Sequence, residues 1–153
     1  YEHFANKEEC VLALCELGIR VIQQEMAEAA GHAPTGDARE RLRAGTRAFL
    51  SALTEHPDVA RTMFVEVIGA GPRADQRHDE ILQAFAGMLD AENAAAARRG
   101  LIARFRSPHD PFAIVGAVCE LVSRQLRLGV PCDVLDLTPV IDRLILGLIP
   151  ADQ

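Results

Sequence analysis

Residues 110–129, DPFAIVGAVCELVSRQLRLG, decide the fold class, because they form one helix with apolar side chains on two of its faces. Asp110-Pro111 marks the start: a proline in the first helical turn gives up no hydrogen bond. Gly129, with Pro131 just beyond, marks the stop. Between them Phe112, Val115, Cys119, Val122 and Leu126 make one apolar stripe, and Ile114, Val118, Leu121 and Leu128 a second. Glu120, Ser123, Arg124 and Arg127 separate the stripes. A helix apolar on two faces has a layer on either side of it, so an all-α bundle is expected.

The flanking segments carry the same period. Asn6 can cap a helix starting at Lys7, with Glu9 three residues on to complete a capping box. Val11, Leu14, Cys15, Gly18, Val21, Ile22, Met26 and Ala29 recur at three and four up to about Ala30, before Gly31 and Pro34. Asp37 and Glu40 repeat the capping pair, after which Leu42, Thr46, Phe49, Leu50 and Leu53 oppose Arg39, Arg43 and Arg47. His56-Pro57 ends that helix, since the residue before proline leaves the α region. Val59, Met63, Phe64, Val67 and Ile68 mark a short third helix ending at Gly69–Gly71. Residues 64–68, FVEVI, have strand-like composition, but no partner strand exists elsewhere and a lone strand leaves its backbone unpaired. A long helix from Pro72 carries Ile81, Leu82, Phe85, Met88 and Leu89 and closes at Arg98-Arg99-Gly100. After a connection over 101–108 and the central helix, Thr138-Pro139 caps a final one bearing Val140, Ile141, Leu144, Ile145 and Leu148. The series gives about six helices.

The whole sequence of 153 residues suits one domain. A hydrophobic content of 49% with only 5% aromatics and no Trp favours helix packing over a β-sandwich. The net charge of −6 provides no broad positive field, so residues 1–153 alone should hold a phosphate backbone poorly. No apolar run approaches the ~20 residues of a membrane span, and no charged-then-apolar leader opens the sequence. A soluble, cytoplasmic protein is the expectation. Cys10, Cys15, Cys119 and Cys132 have neither zinc-site spacing nor disulfide-scaffold density and read as ordinary thiols. A thiol sensor at Cys119 or Cys132 would need a neighbourhood that stabilises thiolate.

Catalytic patterns are thin. No Glu has a His three positions later, as a di-iron bundle requires. Ser51, Ser107 and Ser123 lack a strand-turn-helix elbow, and His3, His32, His56, His78 and His109 fall at caps, turns or helix starts. No enzymatic activity, metal or cofactor is expected.

The opening Tyr1-Glu2-His3-Phe4-Ala5-Asn6-Lys7-Glu8-Glu9 resembles the Tyr-x-His-Phe-x-x-Lys-Glu signature that closes the helix-turn-helix of tetracycline-repressor (TetR) family regulators, which are bacterial. The helix order and breaks that follow resemble that family's sensing domain. The resemblance implies that residues 1–6 are the remnant of a DNA-binding domain and residues 7–153 a ligand-sensing and dimerising one. Tyr1, His3 and Lys7 would then be left from the DNA face, with Phe4 packing the head onto the first helix. It further implies a ligand-responsive transcriptional regulator, most simply a repressor, whose operator DNA is bound by the longer protein and not by this stretch. The partner is a second copy, joined in a four-helix bundle made by the last two helices. Ile114, Val118, Leu121, Leu128, Val140, Ile141, Leu144, Ile145 and Leu148 are the interface candidates.

Such sensors hold a small molecule between central helices. The inward candidates are Phe49, Leu53, Met63, Phe64, Val67, Phe85, Leu89, Val115, Cys119 and Val122, each of which also fits ordinary core packing. So apolar a wall points to a lipophilic effector. Glu92, one turn beyond Met88 and Leu89, and Glu25, beside Ile22 and Met26, could face the ligand or form structural ion pairs with Arg47 or Arg124. Glu120 is expected to order the dimer interface. A helical protein-interaction module without a ligand is the alternative reading; a packed-solid interior would favour it and an internal cavity would not.

Overall fold

The computed structural model describes residues 4–34 and 36–151, and among them it has six α-helices and no strand. They are α1 (Lys7–His32), α2 (Ala38–Glu55), α3 (Pro57–Arg61), α4 (Pro72–Arg98), α5 (Asp110–Leu128) and α6 (Thr138–Leu148). Asn6 Oδ1 accepts from the Glu9 N–H and Asp37 Oδ1 from the Glu40 N–H, both at 2.9 Å, satisfying orphan donors at the starts of α1 and α2. The Glu9 carboxylate reaches past Asn6 to the Ala5 N–H at 3.1 Å, so the expected capping box is displaced by one residue. No helix among the described residues is long and apolar enough to cross a membrane.

α3 runs without a break into a wide π turn, Thr62–Glu66, in which the Val67 N–H donates to Thr62 O at 2.9 Å. The strand-like composition at 64–68 is therefore overridden, with Met63, Phe64 and Val67 buried in the core. α1 crosses this segment at Gly18. A Cβ there would lie 2.4 Å from Val59 Cγ1 and 2.5 Å from Met63 Sδ, so only glycine allows the approach. Glu8 of α1 meets the start of α4, its Oε1 accepting from the N–H groups of Arg73 at 2.9 Å and Ala74 at 3.2 Å. A carboxylate at that helix end is also favoured by the helix dipole.

α5 packs against α4, α6, the π turn and the tight 3-10 turn Val134–Leu137 that precedes α6. Its buried line is Pro111, Ile114, Val118, Val122 and Gln125, drawn from both expected stripes, whereas Phe112 stays 41% exposed and Leu128 59%. The helix is thus buried on one broad face rather than on two separate ones. The turn before α6 escaped the sequence reading. Asp133 Oδ1 caps it through the Leu135 N–H at 2.9 Å, and the Thr138 hydroxyl closes it by donating to Leu135 O at 2.7 Å instead of capping α6.

Candidate functional site

Small residues leave a space where five helices converge. Ala27 and Ala30 on α1, Gly45 on α2 and Ala91 on α4 border a cavity of about 410 Å³. Larger side chains finish its wall: Met26, Leu42, Phe49, Met88, Leu89, Val115, the buried Ile114 and Val118 of α5, and Ile141 and Ile145 of α6. The volume falls within the ~300–1,000 Å³ of small-molecule sites. Phe49 stands edge-to-face against Phe64 at 6.0 Å and against Phe85 at 6.1 Å, an arrangement that fixes the three rings as a rigid part of the wall.

Four side chains bring polar atoms to this lining. The Thr46 hydroxyl donates to Leu42 O of its own helix at 3.1 Å. Burial pushes the Cys119 thiol up to about 12, so it stays protonated at neutral pH. Arg41 Nε donates to Glu92 Oε1 at 2.8 Å, tying α2 to α4, and Arg41 Nη1 donates to Ala30 O at 2.8 Å, tying α2 to the end of α1. No histidine is among the described residues that line the cavity.

The structure brings Phe49, Phe64, Phe85, Leu89, Glu92, Val115 and Cys119 together around one space. Leu53, Met63, Val67 and Val122 do not line it and are buried in the core instead. Leu53, one turn beyond Phe49, has already passed to where α2 meets α1 and α3, and borders a smaller cavity of about 120 Å³. Four residues expected at the dimer interface, Ile114, Val118, Ile141 and Ile145, turn into the protein and line the main cavity. The cause is that α6 lies against α2 and α5 of its own chain, which covers this face. Of the remainder, Leu128 and Leu148 are exposed, Leu144 is half-buried, and Leu121 and Val140 are half-buried against the core.

The ion pairs also differ from expectation. Glu92 pairs with Arg41, while Arg47 bonds Glu40. Glu25 faces His56 at 3.9 Å, at the α2–α3 junction. With Glu55 these two bring three potential metal-ligating atoms within 4.8 Å of one another, but Glu55 and His56 are exposed and such clusters are common without an ion. Glu120 is matched by Arg127 of its own helix at 3.2 Å. Lys7 is exposed and Phe4 is 42% exposed; Tyr1 and His3 lie outside the described residues. Cys15 is also pushed up by burial, to about 11. Of the two sensor candidates, Cys119 is shifted by burial in the direction that disfavours thiolate, and Cys132 is exposed.

Comparison with protein-family models, with curated proteins and with solved structures finds no match.

Arg41, Met26, Thr46 and Met88 are site residues that the sequence reading left out of the wall. Arg41 sits in the polar Arg39-Glu40-Arg41 run, where nothing but its partner distinguishes it from its solvated neighbours. Met88 did belong to the apolar face of α4, and the spacing of four from Met88 to Glu92 was the available signal.

Proposed function

We propose that this chain is the effector-sensing part of a ligand-responsive transcriptional regulator of the TetR kind, acting as a repressor. In this reading residues 7–153 form the sensor, and residues 1–6 the end of a DNA-reading domain that would precede Tyr1. The observation that carries the reading is the apolar cavity of about 410 Å³ between α1, α2, α4, α5 and α6. The Tyr1–Glu9 signature supports the link to DNA. Ligand entering between α2, α4 and α5 would shift a two-state equilibrium by its preference for one helix spacing, an effect of about 1–3 kcal/mol on operator affinity. A helical interaction module without a ligand is less well supported, because the apolar space is recessed among five helices and has the volume of a small-molecule site.

Fluorescence anisotropy of the full gene product on the DNA beside its own gene tests the reading, with residues 1–153 as control. Saturable, salt-sensitive binding by the full product and none by the control is expected. Failure of the full product to bind would remove the regulator.

Dimerisation belongs to the same proposal, with the interface reduced to the exposed or half-buried Leu128, Leu144 and Leu148 of α5 and α6. Leu144→Asp should halve the mass measured by light scattering, since a desolvated charge without a partner is strongly unfavourable. A dimer that persists would move the interface elsewhere.

A further inference from the structure

The cavity wall selects ligands by charge as well as by size. Arg41 and Glu92 are the lining's only ionisable groups that carry charge at neutral pH, and they neutralise each other through a 2.8 Å contact. Arg41 is held from a second side by Ala30 O, also at 2.8 Å. The rest of the wall is hydrocarbon, aromatic rings, a protonated thiol and a hydroxyl whose proton is committed to Leu42 O. A ligand carboxylate at Arg41 would share the cation with Glu92, so that like-charge repulsion from Glu92 and the loss of part of its own hydration offset the attraction. An ammonium at Glu92 meets the same difficulty with Arg41.

An uncharged polar group has no such difficulty. A guanidinium has five N–H donors, and the contacts of Arg41 use Nε and one hydrogen of Nη1. A hydroxyl or carbonyl oxygen can accept from the others while the ion pair stays closed. We infer that the cavity between α1, α2, α4, α5 and α6 takes a neutral amphiphile, an alcohol or ketone with a long apolar chain. Its oxygen lies at the Arg41–Glu92 pair and its hydrocarbon against the Phe49–Phe64–Phe85 cluster. This inference rests on the ligand-sensing reading and adds the class of ligand to it.

The experiment uses N-phenyl-1-naphthylamine, a neutral dye that fluoresces in apolar surroundings, displaced from the protein by 1-decanol, decanoate or decylammonium below their aggregation limits. Decanol is expected to displace the dye at least about tenfold more effectively than either ion. Glu92→Gln should leave Arg41 as an uncompensated cation and raise the apparent affinity for decanoate by about tenfold or more. Glu92 is partly exposed and the replacement is isosteric, so folding is not at stake. Dye binding with decanoate or decylammonium equal to or tighter than decanol, or a Glu92→Gln protein with unchanged decanoate affinity, overturns the neutral-ligand inference and leaves the sensing cavity standing. No dye binding at all overturns the cavity reading and this inference with it.

Discussion

Gly45→Leu is expected to lower the affinity for a lipophilic ligand by well over tenfold while raising the melting temperature by several degrees. Gly45 is buried in α2 and borders the cavity, and a Cβ built on it meets no other atom within 4 Å. A leucine there enters empty space instead of displacing a neighbour. Replacing a mid-helix glycine gains about 0.5–1 kcal/mol from helix propensity, and filling an apolar void adds burial of about 1.5–3 kcal/mol for a whole side chain. One kcal/mol corresponds to roughly 2–4 °C in a domain of this size, so the shift is measurable by calorimetry. The same side chain occupies volume the ligand needs. A stabilised protein that still binds the dye with parental affinity would place the ligand elsewhere, and a lowered melting temperature would mean that the cavity is not open in solution.

The prediction pairs stability against binding because the apolar space, open to solvent on the side of Ala27 and Ala91, is left unfilled by the side chains around it. Its small borders are distributed over three helices, Ala27 and Ala30, Gly45, and Ala91, with no single local pattern that announces a hole. Periodicity was enough to place the inward faces of α2, α4 and α5, which is why Phe49, Phe85, Leu89 and Val115 were legible as a group. It could not say how far along each helix the space extends, and Leu53 and Val122 fall on the right faces at the wrong height. Nor could it say what covers an apolar helix end. Ile141 and Ile145 looked suited to a second copy of the chain, but the 3-10 turn at Val134–Leu137 returns α6 against its own α2 and α5. That turn depends on Asp133 and Thr138 bonding backbone at two and three residues' separation, a signal as short as any in the chain.

Gly18 and Gly45 show the same limit from the other side. Each lies on the inward face of its helix, and nothing in the sequence around them tells their roles apart. In the structure one permits α1 to approach Val59 and Met63, and the other borders the open apolar space. A substitution scan separates them, since an added methyl collides at Gly18 and meets nothing at Gly45.

Asn93→Leu should cost roughly 2–5 kcal/mol, the largest loss of stability expected from a single polar position. Asn93 lies in the alanine-rich part of α4 and is fully buried. Its Nδ2 donates to Ala103 O at 3.0 Å, and its Oδ1 accepts from the Phe105 N–H at 3.1 Å and from Arg104 Nη1 at 3.4 Å. One amide thereby satisfies the backbone of the connection between α4 and α5 and holds Ile102 and Phe105 in the core. Leucine fills a similar volume but leaves a buried N–H and a carbonyl unpaired, each at about 1–3 kcal/mol. In urea the midpoint should fall with the slope unchanged, because the fold and the surface it buries stay the same. The connection also sets where α5 begins, through the Ser107 N–H donating to Asp110 Oδ2 at 3.0 Å. Since α5 carries Ile114, Val115, Val118 and Cys119 to the cavity wall, the variant should also bind the dye more weakly. A loss below 1 kcal/mol would show that water replaces the amide and that the connection does not position α5. Weakened stability with unaltered dye binding would separate the two roles and confine Asn93 to folding.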